Sequence, residues 1–430
     1  MKNKVQVVAI IISVIVVIAS LIVFSNSGET PPPSFGNIKE VVLWGVDDPA
    51  LFEETIKDYE SKFQKKVLYV EKDPRTFDRD LLEAIAAGRS PQAIITSTDW
   101  IAKNRDKIAP PQASIVRPEE VEAAFADLAT MSLIERRRVG NQPEEKIVWG
   151  LPLWIDPLVL FWNKDLFNQA LIAVPPATWH DFLDASNKIK ELGAGGAVLQ
   201  SGAALGRGRN IPLHKEILSL LFLQQGTSLE DALFSQGKEK DQTILSILRF
   251  YTDYGKPGTA AYTWHGVLAE PRELFIEGKL GMMLDHYSYK KELEDKNPHR
   301  AFDIAPAPQT QGGKLAYVAD VRAITVPKGA AEQDAAWSLA RFFISQPELQ
   351  KIISRGVVVA ARRDLIAVDS LPEILKKSVL NAKTSFEQYP KENSLIISEM
   401  IESIANGQLL PSEAVTEART KRQRLIDGKK

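Results

Sequence analysis

The strongest constraint on the fold is an alternation of short apolar segments with amphipathic ones near the start of the globular part. The apolar segments are residues 39–48, 65–72 and 92–98, and the amphipathic segments are residues 51–63 and 77–88. The apolar segments have the length of buried strands, and the amphipathic ones have helical spacing, with Gly88 at the end of the second. This alternation predicts an α/β fold with a mostly parallel sheet, whose ligands bind beyond the carboxyl ends of the strands.

The length and composition of the chain narrow the class of protein. Because 430 residues exceed what one compact core usually holds, we expect two lobes. The formal net charge of -2 gives no global basic field, so we expect no nucleic-acid partner. The chain has no cysteine, which excludes disulfides, thiolate metal sites, cysteine nucleophiles and lipid attachment at an N-terminal cysteine.

An uncharged apolar run covers residues 5–24 and follows two lysines within residues 1–4. As a helix this run would span about 30 Å, the thickness of a bilayer core. The positive-inside tendency then keeps residues 1–4 in the cytoplasm and the globular part extracellular or periplasmic, as in a single-pass protein of the cell membrane. A signal peptide cleaved near residues 25–28 is the alternative, but its apolar region is usually shorter, so we favour an uncleaved transmembrane anchor. Residues 25–37, rich in Pro and polar residues, read as a linker.

Sequence signatures of enzymes are missing from the chain. It has no HExxH zinc helix, no GxSxG elbow and no phosphate-binding GxxxxGK[ST] loop. GAGG at 193–196 is typical of a turn. GRGR at 206–209 predicts a solvated loop or, alternatively, an anion contact. The five histidines have no metal-ligand spacing. We therefore expect no enzyme activity, no cofactor and no metal.

Four stretches in a fixed order carry a family resemblance. They are LLEAIAAGRSPQAIIT (81–96), LPLWIDPLVLFWNKDLFNQALIAVPPATW (151–179), FIEGKLGMMLDHYSY (275–289) and DAAWSLARFFISQPELQ (334–350). Together they resemble the extracellular solute-binding proteins of ABC importers, in the branch that includes maltose-binding protein. The likeness covers nearly all of 38–410. Gln92 and Gly281 depart from the family pattern, and both changes are structurally tolerable.

The resemblance implies a two-lobe, periplasmic-binding-protein-like fold of type II, with hinge-linked lobes and a ligand in the cleft between them. It implies a first lobe of residues 38–153 plus about 303–329. The second lobe is then residues 154–302 plus about 330–430, with the first crossing near 150–158. A ligand that contacts both lobes closes them by hinge motion.

A sugar ligand would explain the residue types near the expected cleft, because aromatic faces stack on pyranoses and carboxylates accept hydrogen bonds from hydroxyls. The candidate ligand-binding residues are Trp44, Asp47, Asp99, Trp100, Trp154, Asp156, Trp264, His286, Tyr287 and Arg322. Asp156 and Asp99 match acidic sugar contacts of the family by their place in its motifs. Tyr389 is a weaker candidate.

Several of these residues also have a purely structural interpretation. Trp44 and Trp154 would fit a core, as would the non-candidates Trp162 and Trp337. Asp156 would cap a turn before a proline. Asp99 would be the N-cap of a helix that starts at Trp100, Arg322 would pair with Asp320, and Asp165 would cap the helix that follows it.

The resulting hypothesis is a membrane-tethered, monomeric solute-binding protein that captures a sugar or oligosaccharide and delivers it to the permease subunits of an ABC transporter. One alternative is the same fold signalling to a membrane receptor. Others are a non-sugar solute (a phosphate ester, polyamine or peptide) and a surface hydrolase acting on glycans.

Overall fold

The computed structural model describes residues 40–138, 144–237, 241–299, 301–368, 373–383 and 390–428. The apolar run 5–24, the linker 25–37 and Tyr389 lie outside the described residues. Within the described ranges, no helix combines the length and the apolar character that crossing a bilayer requires.

The described chain contains strands and helices throughout, and four consecutive α-helices separate the strands at 198–203 and 280–286. In chain order, the strands are β1 Glu40–Gly45, β2 Lys66–Glu71, β3 Ala93–Ser97, β4 Ile134–Arg137, β5 Glu145–Val148, β6 Leu151–Asn163, β7 Glu191–Leu192, β8 Val198–Ala203, β9 Leu280–His286, β10 Phe302–Pro306, β11 Tyr317–Thr325, β12 Val359–Ala360 and β13 Ala382–Lys383. The helices are α1 Glu53–Phe63, α2 Phe77–Ala86, α3 Thr98–Lys103, α4 Pro118–Ala124, α5 Asp127–Leu133, α6 Lys164–Gln169, α7 Trp179–Ile189, α8 His214–Gln224, α9 Leu229–Phe234, α10 Gln242–Asp253, α11 Pro271–Glu277, α12 Tyr289–Lys296, α13 Gln333–Phe343, α14 Gln346–Arg355, α15 Arg363–Val368, α16 Glu373–Leu380, α17 Pro390–Ala405 and α18 Pro411–Asp427.

The alternation predicted at the start of the globular part is confirmed by β1, α1, β2, α2 and β3. β1 pairs in parallel with both β2 and β3. Gly88 follows α2 with a φ of 67°, a conformation that glycine adopts without steric cost. The expectation of a mostly parallel sheet is wrong beyond β3, because β11 pairs antiparallel with both β3 and β6. β11 brings the chain back from elsewhere in the fold and so runs against β3.

β6 is the strand that carries the chain from one lobe to the other. Its residues 151–157 pair with β11, and its residues 158–162 pair with β9. β10 pairs with residues 159–163 of the same strand. One strand therefore belongs to two sheets, and the change between them falls at Pro157 and Leu158.

Two large cores of buried apolar residues define the lobes. The first lobe comprises the described residues of 40–157 and 317–368, and the second comprises those of 158–306 and 390–428. Trp337 is fully buried in the first core, where its indole donates to the carbonyl oxygen of Ala109 at 2.8 Å.

This division corrects two boundaries drawn from the sequence. Residues 330–366 belong to the first lobe rather than the second, because α13 and α14 pack in the core of β1 and β11. β10 belongs to the second lobe, because it pairs with the second half of β6. The return to the first lobe therefore falls between β10 and β11.

Local hydrogen bonds explain where two helices of the second lobe begin. The side-chain oxygen Oδ1 of Asn163 accepts from the backbone N–H groups of Asp165, at 3.0 Å, and Leu166, at 3.3 Å. Asn163 is therefore the N-cap of α6, and the expectation that Asp165 has this role is wrong. Thr178 caps α7, since its hydroxyl accepts from the N–H of Asp181 at 3.1 Å.

The GRGR loop is buried over its first three residues, and only Arg209 is exposed to solvent. Arg207 is buried and pairs with Glu402 of α17 at 2.9 Å, and it also donates to the carbonyl of Gly255 at 2.8 Å. Glu402 accepts in addition from the backbone N–H groups of Gly208 and Arg209. Buried charges are tolerated when they are paired in this way. The loop therefore ties α17 into the second lobe.

Candidate binding cleft

A cavity of about 450 Å³ lies between the two lobes. The first lobe contributes residues near the carboxyl ends of β1 and β3, together with α2, α3 and one residue of β11. The second lobe contributes the first turns of α8 and α17. The lining residues are Val46, Pro74, Phe77, Asp78, Thr96, Ser97, Asp99, Trp100, Lys103, Lys215, Glu216, Arg322, Lys391 and Ser394. The cavity thus lies beyond the carboxyl ends of parallel strands, where the strand pattern predicts a ligand.

Asp99 lies in the first turn of α3 and faces the second lobe. The N-cap of this helix is Ser97, whose hydroxyl accepts from the N–H of Trp100 at 3.3 Å. The interpretation of Asp99 as the N-cap is therefore wrong. Its carboxylate lies 3.7 Å from the ammonium group of Lys215 on α8, so Asp99 takes part in an ion pair between the lobes.

Trp100 lies on the cavity wall and is held there by two neighbours. Its indole N–H donates to the carboxylate of Asp78, and its ring packs edge-on against Phe77 with centroids 5.8 Å apart. Asp78 also accepts from Lys391 of α17 at 3.0 Å. Burial raises the pKa of Asp78, but the hydrogen bonds from Lys391 and Trp100 outweigh it and hold the pKa below its usual value. Asp78 therefore stays ionised and forms a second ion pair between the lobes.

Asp47 and Arg322 form an ion pair just behind the cavity wall. Nε of Arg322 lies 3.2 Å from Oδ1 of Asp47, whose side chain is 14% exposed. Burial raises the pKa of Asp47, and the guanidinium opposes that rise. Arg322 therefore pairs with Asp47, which follows β1. The sequence-based alternative, an ion pair between Arg322 and Asp320, is not formed.

Asp156 lies at the hinge, where three strands of the two lobes meet. Its Oδ1 accepts from the backbone N–H of Ser288 at 3.0 Å, so it caps the turn after β9. Its backbone carbonyl accepts from Nδ1 of His286 at 3.2 Å, and Nε2 of His286 lies 3.7 Å from the carboxylate of Asp320 on β11. Asp156 and His286 are thus next to each other, but the described residues that line the cavity do not include them.

The charge of His286 follows from its acidic neighbours. Burial lowers the pKa of His286, but the carboxylates of Asp320 and Asp156 outweigh burial and raise the pKa to about 9. Burial raises the pKa of Asp156. His286 is therefore protonated at neutral pH and links β9 of the second lobe to β11 of the first.

Two of the predicted site residues belong to the cores. Trp154 is 3% exposed and packs against Phe52 in the first lobe, with ring centroids 6.3 Å apart. Trp264 is fully buried in the second lobe, where its indole donates to Oδ1 of Asn210 at 3.2 Å. These positions correct the prediction that both tryptophans face the cleft. Trp154 lies in the first half of β6, and its side chain is part of the first-lobe core.

The two remaining aromatic candidates lie next to the cleft without lining the cavity. Trp44 is half-buried, with the ammonium group of Lys72 3.8 Å from the centre of its ring. It packs in the small apolar cluster of Phe77, which does reach the cavity. Tyr287 packs against both cores, and its N–H donates to the carbonyl of Pro157 at 2.9 Å. The structure therefore places Tyr287 at the hinge.

The sequence did not identify the residues that the second lobe contributes to this cavity. Lys215, Glu216 and Lys391 come from helix starts that lie far along the chain from β1 and β3. One sequence feature pointed to this contribution. Charged residues lie in the first turn of α8, and the residues that follow them in the helix are almost all buried and apolar. Charged groups at the start of a buried helix indicate a surface that meets another part of the protein.

The chain matches a family model over most of its length. Residues 54–364 match the model described as bacterial extracellular solute-binding protein. A Brucella abortus (strain 2308) protein, whose name gives it a binding role without a ligand, is 24% identical over 312 residues. That match covers 69% of this chain and 68% of the Brucella protein.

Solved structures share the two-lobe fold. An ABC substrate-binding protein of Listeria monocytogenes, in complex with cycloalternan, has a TM-score of 0.71 and 16% identity, and the match covers 90% of this chain and 99% of the other. An ABC transporter solute-binding protein of Thermotoga lettingae, bound with alpha-D-tagatose, has a TM-score of 0.69 and 21% identity, with coverage of 89% and 98%. These likenesses confirm the α/β two-lobe fold expected from the sequence.

Proposed function

Because this chain belongs to the bacterial extracellular solute-binding protein family, we propose that it captures a sugar or oligosaccharide in the cavity between its lobes. The observation that carries the proposal is the cavity itself, which both lobes line at the hinge-linked cleft. The sugars bound by the Listeria and Thermotoga neighbours support a carbohydrate over other solutes.

The chemistry of the cavity wall suits a ligand rich in hydroxyl groups. Phe77 and Trp100 offer aromatic rings, against which the C–H face of a sugar packs. Thr96, Ser97 and Ser394 offer hydroxyl groups that both donate and accept hydrogen bonds. A volume of about 450 Å³ lies within the range of small-molecule sites.

Ligand binding closes the lobes through the strands that join them. β6 and the segment between β10 and β11 connect the two cores, so they are the parts of the chain that bend when the lobes move. A ligand that contacts both walls binds the closed form more tightly than the open form. This difference in binding free energy stabilises the closed form. Release then requires the lobes to open again.

The wider role in the cell rests on the family and on the N-terminal sequence. Residues 5–24 anchor the protein in the cell membrane, and the globular part lies outside the cytoplasm as a monomer. The closed form delivers its solute to the permease subunits of an ABC transporter. A receptor-coupled sensor would use the same fold and the same closure, and would differ in the membrane partner that recognises it.

Calorimetric titration of the full-length protein in detergent tests the ligand class. We expect saturable heat with one of maltotetraose, mannotriose and tagatose, sugars bound by neighbours of the same fold. Heat from a phosphate ester, a polyamine or a peptide, with none from the sugars, would overturn the carbohydrate proposal. Chromatography of the recovered sugar adds a second readout, since hydrolysed sugar would indicate a surface hydrolase instead.

A further inference from the structure

Glu216 differs from the other acidic residues of the cavity wall in forming no hydrogen bond or ion pair with a described residue, and it is the weakest of the four carboxylates that raise the pKa of His286. Asp78 and Asp99 each pair with a lysine of the opposite lobe. Glu216, in the first turn of α8, forms no hydrogen bond or ion pair with any residue that the structure describes. Its Oε2 is buried and unsatisfied.

An unpaired buried carboxylate oxygen is unfavourable for the closed protein. A buried acceptor without a donor lowers the stability of the fold, and does so more strongly when it is charged. Packing does not explain the charge of Glu216, since a neutral side chain of the same shape would fill the same space. A buried acceptor that has no donor in the ligand-free protein is explained if a ligand supplies the donor.

The place of Glu216 in the fold favours a ligand contact. It follows Lys215, which reaches the first lobe at Asp99, so this turn of α8 lies where the lobes meet. On the other lobe, Oδ2 of Asp47 is likewise buried without a described hydrogen-bond donor, and Asp47 holds Arg322, which lines the same cavity. Asp47 itself does not line the cavity, so Glu216 is the acid with a buried, unsatisfied oxygen on the cavity wall that the structure describes.

We propose that Glu216 is a ligand-binding residue of the second lobe, which accepts a hydrogen bond from a hydroxyl group of the bound solute. It selects solutes that present a hydroxyl donor to the second lobe, as a sugar ring does. This inference rests on the proposed function and adds to it a residue that makes closure depend on the ligand.

The test uses Glu216→Gln in the full-length protein, with Glu273→Gln as the matched control. Glu273 is an exposed acid of the same lobe, on α11. The probe is whichever of maltotetraose, mannotriose and tagatose the wild type binds most tightly. We expect Glu216→Gln to weaken that binding about tenfold or more, because a hydrogen bond to a charged acceptor is lost. We expect Glu273→Gln to leave it unchanged.

A second readout separates ligand contact from a structural role. The melting temperature of ligand-free Glu216→Gln is expected to equal or exceed that of the wild type, because the variant removes a carboxylate whose Oε2 is buried without a donor and which acts only weakly on His286. Unchanged affinity, or a lowered melting temperature without ligand, would overturn the assignment. If the wild type binds none of the three sugars, the carbohydrate proposal fails, and the ligand-free melting temperatures still decide whether Glu216 is structurally satisfied.

Discussion

Replacing His286 with Gln is expected to change how stability depends on pH. The carboxylates that face the imidazole come from several elements: Asp320 from β11, Asp156 from β6, Asp285 from β9 and Glu216 from α8. Against the burial that lowers it, they raise the pKa from 6.5 to about 9. The folded protein therefore binds a proton that the unfolded chain releases near pH 6.5.

The sign and the size of the effect follow from this difference. Because the pKa of His286 is raised on folding, its protonation stabilises the folded protein. This stabilisation is fully present below about pH 6.5 and is lost as the pH rises through about 9. At about 1.4 kcal/mol per pKa unit, the full contribution is on the order of 3 kcal/mol. The side chain is 14% exposed, so solvent screening reduces this figure only modestly.

Urea unfolding at pH 6, 7.5 and 9.5 measures the contribution. We expect the free energy of unfolding of the wild type to fall more steeply between pH 6 and 9.5 than that of His286→Gln, by a few kcal/mol. His299→Gln, which changes an exposed histidine, controls for the general loss of imidazole and is expected to follow the wild type. Parallel pH profiles for wild type and His286→Gln would refute the electrostatic account of the hinge.

Two further predictions concern ion pairs of the cleft. Arg322→Met leaves the buried carboxylate of Asp47 without its partner, so we expect a loss of about 1–3 kcal/mol in the free energy of unfolding at pH 7; an unchanged value in urea unfolding would contradict this. Lys391→Met removes a pair with Asp78 whose lysine is 66% exposed. We expect a loss below about 1 kcal/mol that disappears in high salt; a larger loss that persists in salt would contradict it.

The local pattern of the sequence predicted the elements of the first lobe and part of the cleft. Apolar spacing located β1, α1, β2, α2 and β3, because their periods depend only on neighbouring residues. The position of Asp99 and Trp100 at the end of β3 placed both on the cavity wall, since parallel strands present their carboxyl ends to a common edge.

The rest of the cleft depends on contacts that local pattern does not contain. β6 is almost entirely buried on both faces, so the alternation of side chains gave no sign that Trp154 points into a core. The amphipathic pattern of α13 and α14 predicts helices but does not say which lobe buries them. Lys215 and Lys391 reach the cavity only because two distant helix starts meet the first lobe.

The most direct test of a sugar site between the lobes compares two tryptophan variants. Trp100 lies on the cavity wall, whereas Trp264 is buried in the core of the second lobe. Calorimetric titration with the tightest-binding sugar is expected to show about tenfold or greater loss of affinity for Trp100→Ala, because a stacking surface is removed. Trp264→Phe is expected to keep wild-type affinity. Unchanged binding by a folded Trp100→Ala variant, with loss of binding by a folded Trp264→Phe variant, would contradict the placement of the site.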